Sequence, residues 1–406
     1  MRVLLIGSGG REHAIAAALA QDVSVDTLVC APGNPGMAEL GECVPVNMND
    51  PTAVAGLAVT SAADLVIVGP EAPLVAGVAD AVRAKGIPVY GPGREAARIE
   101  GSKAFAKEIM AAAGVPTAAA RSCRDQKEIE AALDEFGAPY VVKDDGLAAG
   151  KGVIVTEDRD AALAHALGCE RVVIEEYLDG PEVSLFVVSD GETARPMLPA
   201  QDFKRVGDGG TGPNTGGMGA YTPLPWAPDD LVSEIMTRVA EPTLAELAGR
   251  GTPFIGTLYC GLALTSKGLK VVEFNARFGD PEIQPILALL ESSLGELLYA
   301  AANGKLAGFG PLWWREGAAV CVVVANEGYP EETITGRPVY GADQEGVLHA
   351  GTALDATGQL IATGGRVLNC IGTGASVAQA RQEAYMLAEG VKIEGCHFRG
   401  DIAAGL

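Results

Sequence analysis

The sequence predicts a multidomain protein of mixed α/β and α+β class, with an N-terminal doubly wound parallel sheet and a mostly-β C-terminal domain. Residues 1–100 alternate short apolar runs, each ending in Gly or Pro, with stretches of helical periodicity. Polar strands joined by glycine-containing loops fill the middle of the chain, and short apolar strands separated by glycine turns fill its end. A chain of 406 residues is too long for a single hydrophobic core.

These patterns divide the chain into four parts. Residues 1–100 are predicted to form the parallel α/β domain. Residues 101–193 and 194–316 are predicted to form the smaller and the larger part of an α+β region with antiparallel strands. Residues 317–406 are predicted to form the C-terminal domain, whose sequence shows no convergent catalytic groups.

Composition argues against several classes of partner. The chain carries 52 acidic and 30 basic residues, a net charge of −22, which argues against nucleic acid or an anionic membrane. No apolar run reaches the roughly 18 residues of a membrane span. The eight cysteines contain no C-x-x-C pair, which predicts free thiols in a reducing compartment. We therefore expect a cytoplasmic protein whose partners are small molecules.

The first strand ends in a glycine-rich turn, GSGGRE, which opens a helix. Gly7 and Gly9 match the first two glycines of the dinucleotide fingerprint, but Glu12 replaces the third, and no acidic residue ends the next strand to hold a ribose. Bare backbone N–H groups at a helix N-terminus beside Arg11 are instead suited to a phosphate monoester. The alternative is a tight turn with a surface arginine.

A second glycine-containing loop joins two strands in VVKDDGLAAGKGVIV. Lys143 ends the first strand and Lys151 begins the second, so backbone N–H groups and two ammonium groups can close over a polyphosphate. It is not a Walker loop, because no G-K-[ST] sequence precedes a helix here. Alternatively, it is a flexible hairpin with two exposed lysines.

Acidic residues follow at a bend between two strands, in VVIEEYLDGPE. Glu175, Glu176 and Glu182 are placed to accept hydrogen bonds from an adenine amino group or a ribose hydroxyl. The backbone at Glu176 and Leu178 is placed to read the edge of a purine. The stretch therefore predicts nucleotide binding next to the lysine loop.

A later strand and the loop after it, VVEFNARFGDPE, carry Glu273 and Asn275 two positions apart. Side chains alternate along a strand, so both lie on one face. A carboxylate and an amide oxygen are suitable ligands for Mg²⁺ on a triphosphate, whereas the alternative is an ordinary polar strand face. Arg277, Asp280 and Glu282 follow at once, which favours a site.

Taken in order, the lysine loop, EEYLDGPE and EFN resemble the ATP-grasp ligases, in which two α+β parts clamp ATP. Longer motifs narrow the resemblance to the glycinamide ribonucleotide synthetase family over about residues 1–400. These motifs are GSGGREHA, APGNPG, VGPEAPLVAG, EGSKAFAK, KDDGLAAGKGV, GPNTGGMGAY, EFNARFGDPE and LHAGT. The resemblance implies ATP-dependent ligation of glycine to 5-phosphoribosylamine through glycyl phosphate, giving glycinamide ribonucleotide, ADP and phosphate in purine synthesis.

The resemblance also implies roles for individual residues. Catalysis would rest on Arg277, Lys204 and Asp202. ATP would contact Lys103, Lys143, Lys151, Glu175, Glu176, Tyr177, Leu178 and Glu182, and Mg²⁺ or Mn²⁺ would bind Glu273 and Asn275. The substrates would contact Gly9, Gly10, Arg11, Glu12, Glu71, Arg205, Gly216, Gly217, Met218, Gly219 and Asp280. Asp280 is placed to hold the glycine ammonium group, and Glu71 either touches the ribose or caps the following helix.

Four features depart from the family pattern. Asp144 stands in the lysine loop where alanine is expected and adds negative charge near the phosphates. Phe203 replaces a histidine found in some members, so no proton transfer is assigned there. The segment between residues 158 and 171 is shorter than expected. The strand before EFN carries Leu262 and Leu264 instead of an additional acidic metal ligand.

The proposed intermediate is hydrolytically fragile, so the site should close over it. The resemblance implies a lid over about residues 122–190, and the glycines of residues 207–220 predict a flexible closing segment, unless they form a surface loop. We expect a monomer. Three other functions stay open: an ATP-grasp carboxylase acting on a purine intermediate, an NAD(P) oxidoreductase, and a nucleotide sensor without catalysis.

Overall fold

The computed structural model describes residues 1–146 and 152–406. Its N-terminal unit has the strands β1 (Arg2–Gly7), β2 (Thr27–Pro32), β3 (Glu42–Cys43), β4 (Leu65–Val68) and β5 (Val89–Tyr90). These strands form a parallel sheet in the order β3-β2-β1-β4-β5, which confirms the predicted doubly wound arrangement. Its helices are α1 (Gly10–Ala20), α2 (Pro51–Thr60), α3 (Glu71–Ala76), α4 (Val78–Arg83) and α5 (Arg94–Gly101).

Helices cover both faces of this sheet, so successive residues of β1 are buried on opposite sides. Leu4 and Ile6 pack in one core with α2 and α4, whereas Val3 and Leu5 pack in another with α1. Strands buried on both faces read as continuous apolar runs. The strand order reverses between β1 and β4, so the carboxyl ends of these two strands form the switch point where such sheets usually bind ligands.

The smaller part of the central region is an antiparallel sheet covered by two helices. Its elements are α6 (Lys103–Ala113), β6 (Ala120–Cys123), α7 (Gln126–Phe136), β7 (Tyr140–Asp144), β8 (Val153–Thr156), α8 (Arg159–Gly168) and β9 (Val172–Glu175). The strands lie in the order β6-β9-β7-β8. Ile129 and Leu133 of α7 and Ala162 and Ala166 of α8 pack against it in a separate small core.

The larger part contains a second antiparallel sheet and a hairpin. Its strands are β10 (Glu182–Asp190), β11 (Ala194–Pro196), β12 (Gln201–Asp202), β13 (Arg205–Gly207), β14 (Thr211–Asn214), β15 (Gly219–Thr222), β16 (Ile255–Thr265) and β17 (Gly268–Asn275). Its helices are α9 (Leu231–Ile235), α10 (Glu241–Gly249), α11 (Ile283–Leu289) and α12 (Leu294–Ala302). The sheet order is β11-β10-β16-β17, while β13 pairs with β14.

The C-terminal strands complete a sheet that begins earlier in the chain. They are β18 (Ala318–Ala325), β19 (Val347–His349), β20 (Thr352–Leu354), β21 (Leu360–Ala362) and β22 (Arg366–Gly374), followed by α13 (Val377–Gly390). The sheet order β12-β15-β18-β22-β19 includes two strands from before residue 317. The division expected at that residue therefore runs through a hydrogen-bonded sheet. None of the helices in the described ranges is long and apolar enough to cross a membrane.

The glycine-rich residues 207–220 are anchored to the C-terminal segment. The Gly209 N–H donates to Asp401 Oδ2 (2.8 Å), and the Gly400 N–H donates to Asp208 Oδ1 (2.8 Å). The Arg399 guanidinium donates to the Arg205 carbonyl (3.0 Å). Residues distant in sequence therefore tie the hairpin of β13 and β14 to the C-terminal segment, and the expected flexible closing role of this stretch stays a prediction.

Candidate active site

A cavity of about 570 Å³ lies where all four parts of the chain meet. Glu71 and Glu100 reach it from the N-terminal unit, Lys143 from the smaller sheet, Glu273 from the larger sheet and Arg366 from the C-terminal part. It brings together most of the predicted site residues: Arg11, Glu71, Lys103, Lys143, Glu175, Glu176, Tyr177, Leu178, Glu182, Asp202, Lys204, Arg205, Gly216, Glu273, Asn275, Arg277 and Asp280. Lys151 lies outside the described residues.

Charged side chains are concentrated in this cavity. Among the described residues, eight of the chain's 30 Lys and Arg residues line it, together with nine of its 52 Asp and Glu residues. Positive and negative groups are therefore nearly balanced here, although the whole chain has a net charge of −22. A local balance of this kind allows an anionic ligand to bind inside a strongly acidic protein.

Two lysines share one buried carboxylate at one end of the cavity. Glu175 Oε2 lies 2.8 Å from Lys143 Nζ, and Glu175 Oε1 lies 2.9 Å from Lys107 Nζ. Lys143 also donates to the Val272 carbonyl (3.1 Å). The Glu175 carboxylate was expected to accept from adenine, but both of its oxygens are engaged by lysines. It therefore holds the two ammonium groups against the cavity wall.

The bend after Glu175 is held by hydrogen bonds within the protein. The Glu176 N–H donates to the Ala119 carbonyl (2.9 Å), and the Ala119 N–H donates to Glu176 Oε1 (3.1 Å). Lys270 pairs with the same carboxylate. The Glu176 N–H is therefore not available to a purine, and the expected reading of the purine edge by the backbone at Glu176 and Leu178 stays a prediction. Half-exposed Tyr177 lines the open side of the cavity.

Glu273 and Asn275 lie on one strand at the centre of the cavity. Burial opposes the charge of Glu273, but Lys204, Lys143 and other nearby cations lower its pKa. The surroundings of Asn275 assign its amide nitrogen to the side of the Glu100 carboxylate, 3.2 Å from Oε1. A carboxylate and an amide oxygen are hard donors that fit Mg²⁺. No cluster of three or more Asp, Glu, His or Cys side chains arranged for a metal occurs within the described ranges.

Arg277 is held by two carboxylates from the N-terminal unit. Its Nε lies 3.1 Å from Glu71 Oε2, and its Nη2 lies 2.7 Å from Glu100 Oε1. Burial disfavours the guanidinium charge, but Glu100 and Glu71 raise the pKa of Arg277 above its usual value. Glu71 was expected to touch a ribose or to cap α3. The structure shows no side-chain cap at the start of α3 and pairs Glu71 with Arg277, and the ribose contact stays a prediction.

Asp202 and Lys204 belong to a half-buried cluster of acids around one ammonium group. Lys204 pairs with Glu182, which was expected to bind the nucleotide. Burial raises the pKa of Asp202 to about 7; Lys204 opposes this shift and Glu282 adds to it. Burial disfavours the Lys204 charge, but Asp202 and Glu182 raise the pKa of this ammonium group. Tyr259 joins the cluster through Ser184, whose Oγ lies 2.9 Å from the Tyr259 hydroxyl.

The glycine-rich turn after β1 is occupied by the protein's own carboxylates. The Gly9 N–H donates to Glu12 Oε2 (2.7 Å), and the Arg11 N–H donates to Asp280 Oδ2 (3.1 Å). The buried Arg11 side chain pairs with Glu12 (2.5 Å) and donates to the Phe278 carbonyl (3.0 Å). The backbone N–H groups expected to bind a phosphate are therefore already engaged by carboxylates of the protein.

Glu12 itself fills the switch point between β1 and β4. A Cβ atom on Gly7 would lie 2.4 Å from Glu12 Cγ, and one on Gly69 would lie 2.3 Å from Glu12 Oε1. Gly10 is covered in the same way, because its Cβ would lie 2.0 Å from Asn369 Nδ2. Among the described residues, Gly9, Gly10 and Glu12 are not part of the cavity lining. The glycines of this turn and the acid that follows them therefore serve packing within the protein.

Arg366 connects the C-terminal sheet to the predicted substrate turn. Its Nη1 donates to the carbonyls of Gly216 and Asp280, both at 2.6 Å, and lies 3.5 Å from Asp280 Oδ1. Asp280 also accepts from Gln284 (2.8 Å). Burial opposes the charge of Asp280, but Arg366 and Arg11 lower its pKa. The expectation that the C-terminal part carries no convergent group is therefore wrong.

Three predicted substrate contacts lie away from the cavity. Met218 is fully buried in β-sheet packing, with its N–H donating to the Phe203 carbonyl (2.8 Å). A Cβ on Gly219 would lie 2.6 Å from the Cys321 carbonyl, and one on Gly217 would lie 2.3 Å from the Pro281 ring. These residues allow close contact between chain segments, whereas Gly216 and Arg205 do line the cavity.

Sequence reasoning assigned no role to several residues that line the site: Glu100, Lys107, Glu282 and Arg366. Three of them carried a signal. Glu100 is the first residue of the EGSKAFAK motif, and Lys107 lies one helical turn after Lys103. Glu282 ends the EFNARFGDPE motif. Arg366 carried none, because only the pairing of β22 with β18 brings it here.

Three models of one protein family match successive parts of the chain. The Phosphoribosylglycinamide synthetase N domain matches residues 1–100, the ATP-grasp (A) domain matches residues 101–283, and the C domain matches residues 319–405. The chain belongs to the phosphoribosylglycinamide synthetase family. A relative named phosphoribosylamine–glycine ligase, from Streptomyces coelicolor, is 57% identical, and the match covers 100% of this chain and 99% of the relative.

Solved structures agree with membership of the phosphoribosylglycinamide synthetase family. The crystal structure of phosphoribosylamine–glycine ligase from Thermotoga maritima is 33% identical with a TM-score of 0.86, covering 99% of this chain and 100% of that one. The biotin carboxylase domain of 2-oxoglutarate carboxylase from Hydrogenobacter thermophilus, solved with MgADP, has a TM-score of 0.72 at 17% identity. That match covers 98% of this chain and 91% of that one. These likenesses confirm the ATP-grasp fold.

Proposed function

We propose that this member of the phosphoribosylglycinamide synthetase family joins glycine to 5-phosphoribosylamine in purine biosynthesis. The reaction converts ATP to ADP and phosphate and yields N1-(5-phosphoribosyl)glycinamide. The observation that carries the proposal is one cavity in which the Lys143–Glu175 pair, the Glu273–Asn275 strand and Arg277 face the same space. The full-length similarity to relatives named phosphoribosylamine–glycine ligase supports the choice of substrates.

The first step is phosphoryl transfer to glycine. A glycine carboxylate oxygen attacks the γ-phosphorus of ATP, the bond from this phosphorus to the bridging β-γ oxygen breaks, and ADP leaves with that oxygen. The product is glycyl phosphate. Lys143 and Arg277 offset the negative charge that gathers on the transferred group, since both are held in place by carboxylates before substrate arrives.

The second step forms the amide bond. The amine nitrogen of phosphoribosylamine attacks the carbonyl carbon of glycyl phosphate, and the carbon–oxygen bond to phosphate breaks. The nitrogen loses one proton, and the departing phosphate can accept it. Asp280 and Gly216 mark the end of the cavity where we place the glycine and the amine, because Arg366 holds both at one position.

Nucleotide and metal sites complete the proposal. We place ATP between the two antiparallel sheets, with Lys103, Lys107 and Lys143 near its phosphates and Tyr177 and Leu178 near its base. Glu273 and Asn275 would hold Mg²⁺ or Mn²⁺, and the cation would supply positive charge that offsets the charge of the phosphates. The lid over residues 122–190, the monomeric state and the cytoplasmic location also stay proposals.

The rival oxidoreductase function conflicts with the switch point. A dinucleotide would need the space between β1 and β4, and Glu12 occupies it with a carboxylate that would repel a pyrophosphate. The cavity instead opens between the antiparallel sheets, where no dinucleotide fingerprint occurs. The placement of Glu12 therefore favours an ATP-dependent ligase.

The test is ADP release with Mg-ATP, glycine and freshly made phosphoribosylamine, omitting each in turn. We expect release to need all three. Arg277→Ala should lower kcat by about 10²- to 10³-fold while the Kd for ATP changes little, because the charge it stabilises develops during transfer. The matched control is Arg337→Ala, since Arg337 pairs with Glu327 (2.6 Å) and does not line the cavity.

Two results would count against the proposal. ADP release that ignores glycine or the amine would overturn the substrates while leaving the ATP-grasp fold in place. An Arg277→Ala variant with the same kcat as Arg337→Ala would remove the role assigned to Arg277.

A further inference from the structure

The Glu100 carboxylate contacts three successive residues at the end of β17. Glu100 lies in the last turn of α5 and is buried. Its Oε2 accepts from the Ala276 N–H at 2.7 Å, and its Oε1 lies 2.7 Å from Arg277 Nη2. The same Oε1 lies 3.2 Å from the amide nitrogen of Asn275. Glu100 therefore joins the N-terminal unit to the proposed metal strand.

The contact with Asn275 determines which amide atom faces the cavity. An amide group has a donor end and an acceptor end, and the two ends point in opposite directions. The Asn275 nitrogen lies 3.2 Å from both Glu100 Oε1 and the Phe274 carbonyl, which are acceptors. The amide oxygen is consequently turned away from Glu100 and toward the cavity that Asn275 lines.

We infer that Glu100 is a positioning residue for metal binding: its carboxylate fixes the Asn275 amide with the oxygen toward the cation, and holds Arg277 beside it. The inference rests on the proposed function, in which Asn275 binds the cation that accompanies ATP. It assigns to Glu100 a task that a carboxylate alone can perform at this position, because all three neighbouring groups are hydrogen-bond donors.

Glutamine at position 100 would keep the shape of the side chain but replace one of its two acceptor oxygens with a donor NH₂ group. One end of its amide is a donor, so it must face at least one of the three donors around it. Asn275 can relieve the conflict by rotating its amide, which turns its NH₂ group toward the cavity. The cation would then lose one of its two protein oxygen ligands.

Glu71 provides the matched control. It pairs with the same arginine, at Nε (3.1 Å), and is the other carboxylate that holds Arg277 from the N-terminal unit. No hydrogen bond joins it to Asn275 or Ala276 among the described residues. Glu71→Gln therefore weakens the hold on Arg277 alone, whereas Glu100→Gln also disturbs Asn275.

The experiment measures ATP binding by calorimetry with and without Mg²⁺, in the absence of glycine and amine so that no turnover occurs. For the wild type we expect Mg²⁺ to tighten ATP binding. Glu100→Gln should reduce this tightening by about 10-fold or more, the usual effect of removing a group that orients a metal ligand. Glu71→Gln should keep it within about two-fold while lowering kcat.

A second variant tests the orientation directly. In Glu100→Gln/Asn275→Asp, the glutamine NH₂ can donate to one aspartate oxygen while the other faces the cation. We expect this pair to recover most of the Mg²⁺ effect lost in Glu100→Gln. In contrast, Asn275→Asp alone places two carboxylates side by side, and their repulsion should make this variant bind Mg-ATP less tightly than the double variant.

Thermal unfolding of each variant checks that it is folded. If Glu100→Gln is not folded, Glu100→Asp, which retracts the carboxylate, replaces it.

Three results separate the possibilities. A full Mg²⁺ effect in folded Glu100→Gln would overturn the inference, because Glu100 would then act on Arg277 alone. Failure of the double variant to recover the effect would also overturn it. A wild type without any Mg²⁺ effect would overturn the proposed metal site and the inference together, which distinguishes that failure from the first two.

Discussion

The ends of β1 and β17 carry similar groups and use them in opposite ways. At the end of β1, Glu12 and Asp280 take the backbone N–H groups that a phosphate would bind. At the end of β17, carboxylates from elsewhere hold Arg277 at the wall of a cavity. The first arrangement is closed by the protein itself, and the second leaves its charge facing the cavity.

The difference shows that a glycine-rich turn at a helix N-terminus does not by itself indicate a ligand. The N–H groups attract any anion of suitable size, including a carboxylate of the same chain. Glu12 lies three residues after Gly9, the position from which an acid accepts a hydrogen bond from the N–H of the residue before the helix. Whether such a turn binds a ligand depends on the neighbouring side chains as much as on its glycines.

The largest expected effect tests the end of β1, which the protein closes with its own carboxylates. Glu12→Ala removes the partner of buried Arg11 and leaves a charge without compensation, so the free energy of unfolding should fall by about 3–5 kcal/mol in urea denaturation. Glu176→Ala is the control, because its pair with Lys270 is partly solvated, and it should cost about 1 kcal/mol or less. Equal losses in the two variants would mean that the end of β1 is no more closed than the surface.

A smaller effect is expected from filling the space that Glu12 uses. The Cβ of Gly69→Ala would lie 2.3 Å from Glu12 Oε1, so the variant should lose about 1–3 kcal/mol of stability. Gly56→Ala lies in α2 with no atom within 4 Å of its Cβ and should gain about 0.5–1 kcal/mol. Thermal unfolding of both variants checks the contrast, and a stable Gly69→Ala protein would contradict the packing of Glu12.

The smallest effect concerns Asp202 of β12, which lines the cavity that the end of β17 faces, and it depends on pH. Burial raises the pKa of Asp202 to about 7 from a usual value of 3.8, so the folded protein keeps a proton that the unfolded chain releases between about pH 4 and 7. Stability should therefore fall as pH rises through this window and level off above it.

Asp202→Asn removes this contribution. Between pH 5 and 7 the wild type should lose about 1–2 kcal/mol more unfolding free energy than the variant, measured by urea denaturation at both pH values. Matching slopes in the two proteins would show that Asp202 titrates at an ordinary pKa and that the cluster around Lys204 is more solvated than its burial indicates.

Much of the fold could be predicted because it rests on local patterns. The apolar runs of β1, β2 and β4 and the helical periodicity between them predict the parallel sheet that the structure contains. The antiparallel strands around Lys143 and the strand carrying Glu273 and Asn275 were also predicted. The sheet that joins β15 to β18 was not, because pairing between segments almost a hundred residues apart leaves no local signal.

The site was predicted in its residue types more reliably than in its contacts. Lys143, Arg277 and Glu273 line one cavity, as the motifs imply. The carboxylates that hold Lys143 and Arg277 were assigned other tasks or none: Glu175 was expected to bind an adenine amino group or a ribose hydroxyl, and Glu100 was given no role. A motif reports that an acidic residue is needed, and only the arrangement of neighbours shows whether it meets a ligand or a lysine.

The sequence by itself determined the class of fold, the family and the set of charged residues available for catalysis. These follow from composition, from periodicity and from motifs that lie within short stretches of chain. Tertiary structure alone decided that Glu12 closes the switch point, that Arg366 reaches the site from the C-terminal sheet and that Glu100 holds Asn275 and Arg277. Hydrogen bonds and ion pairs act over a few ångströms, so their partners are known only when distant segments are brought together.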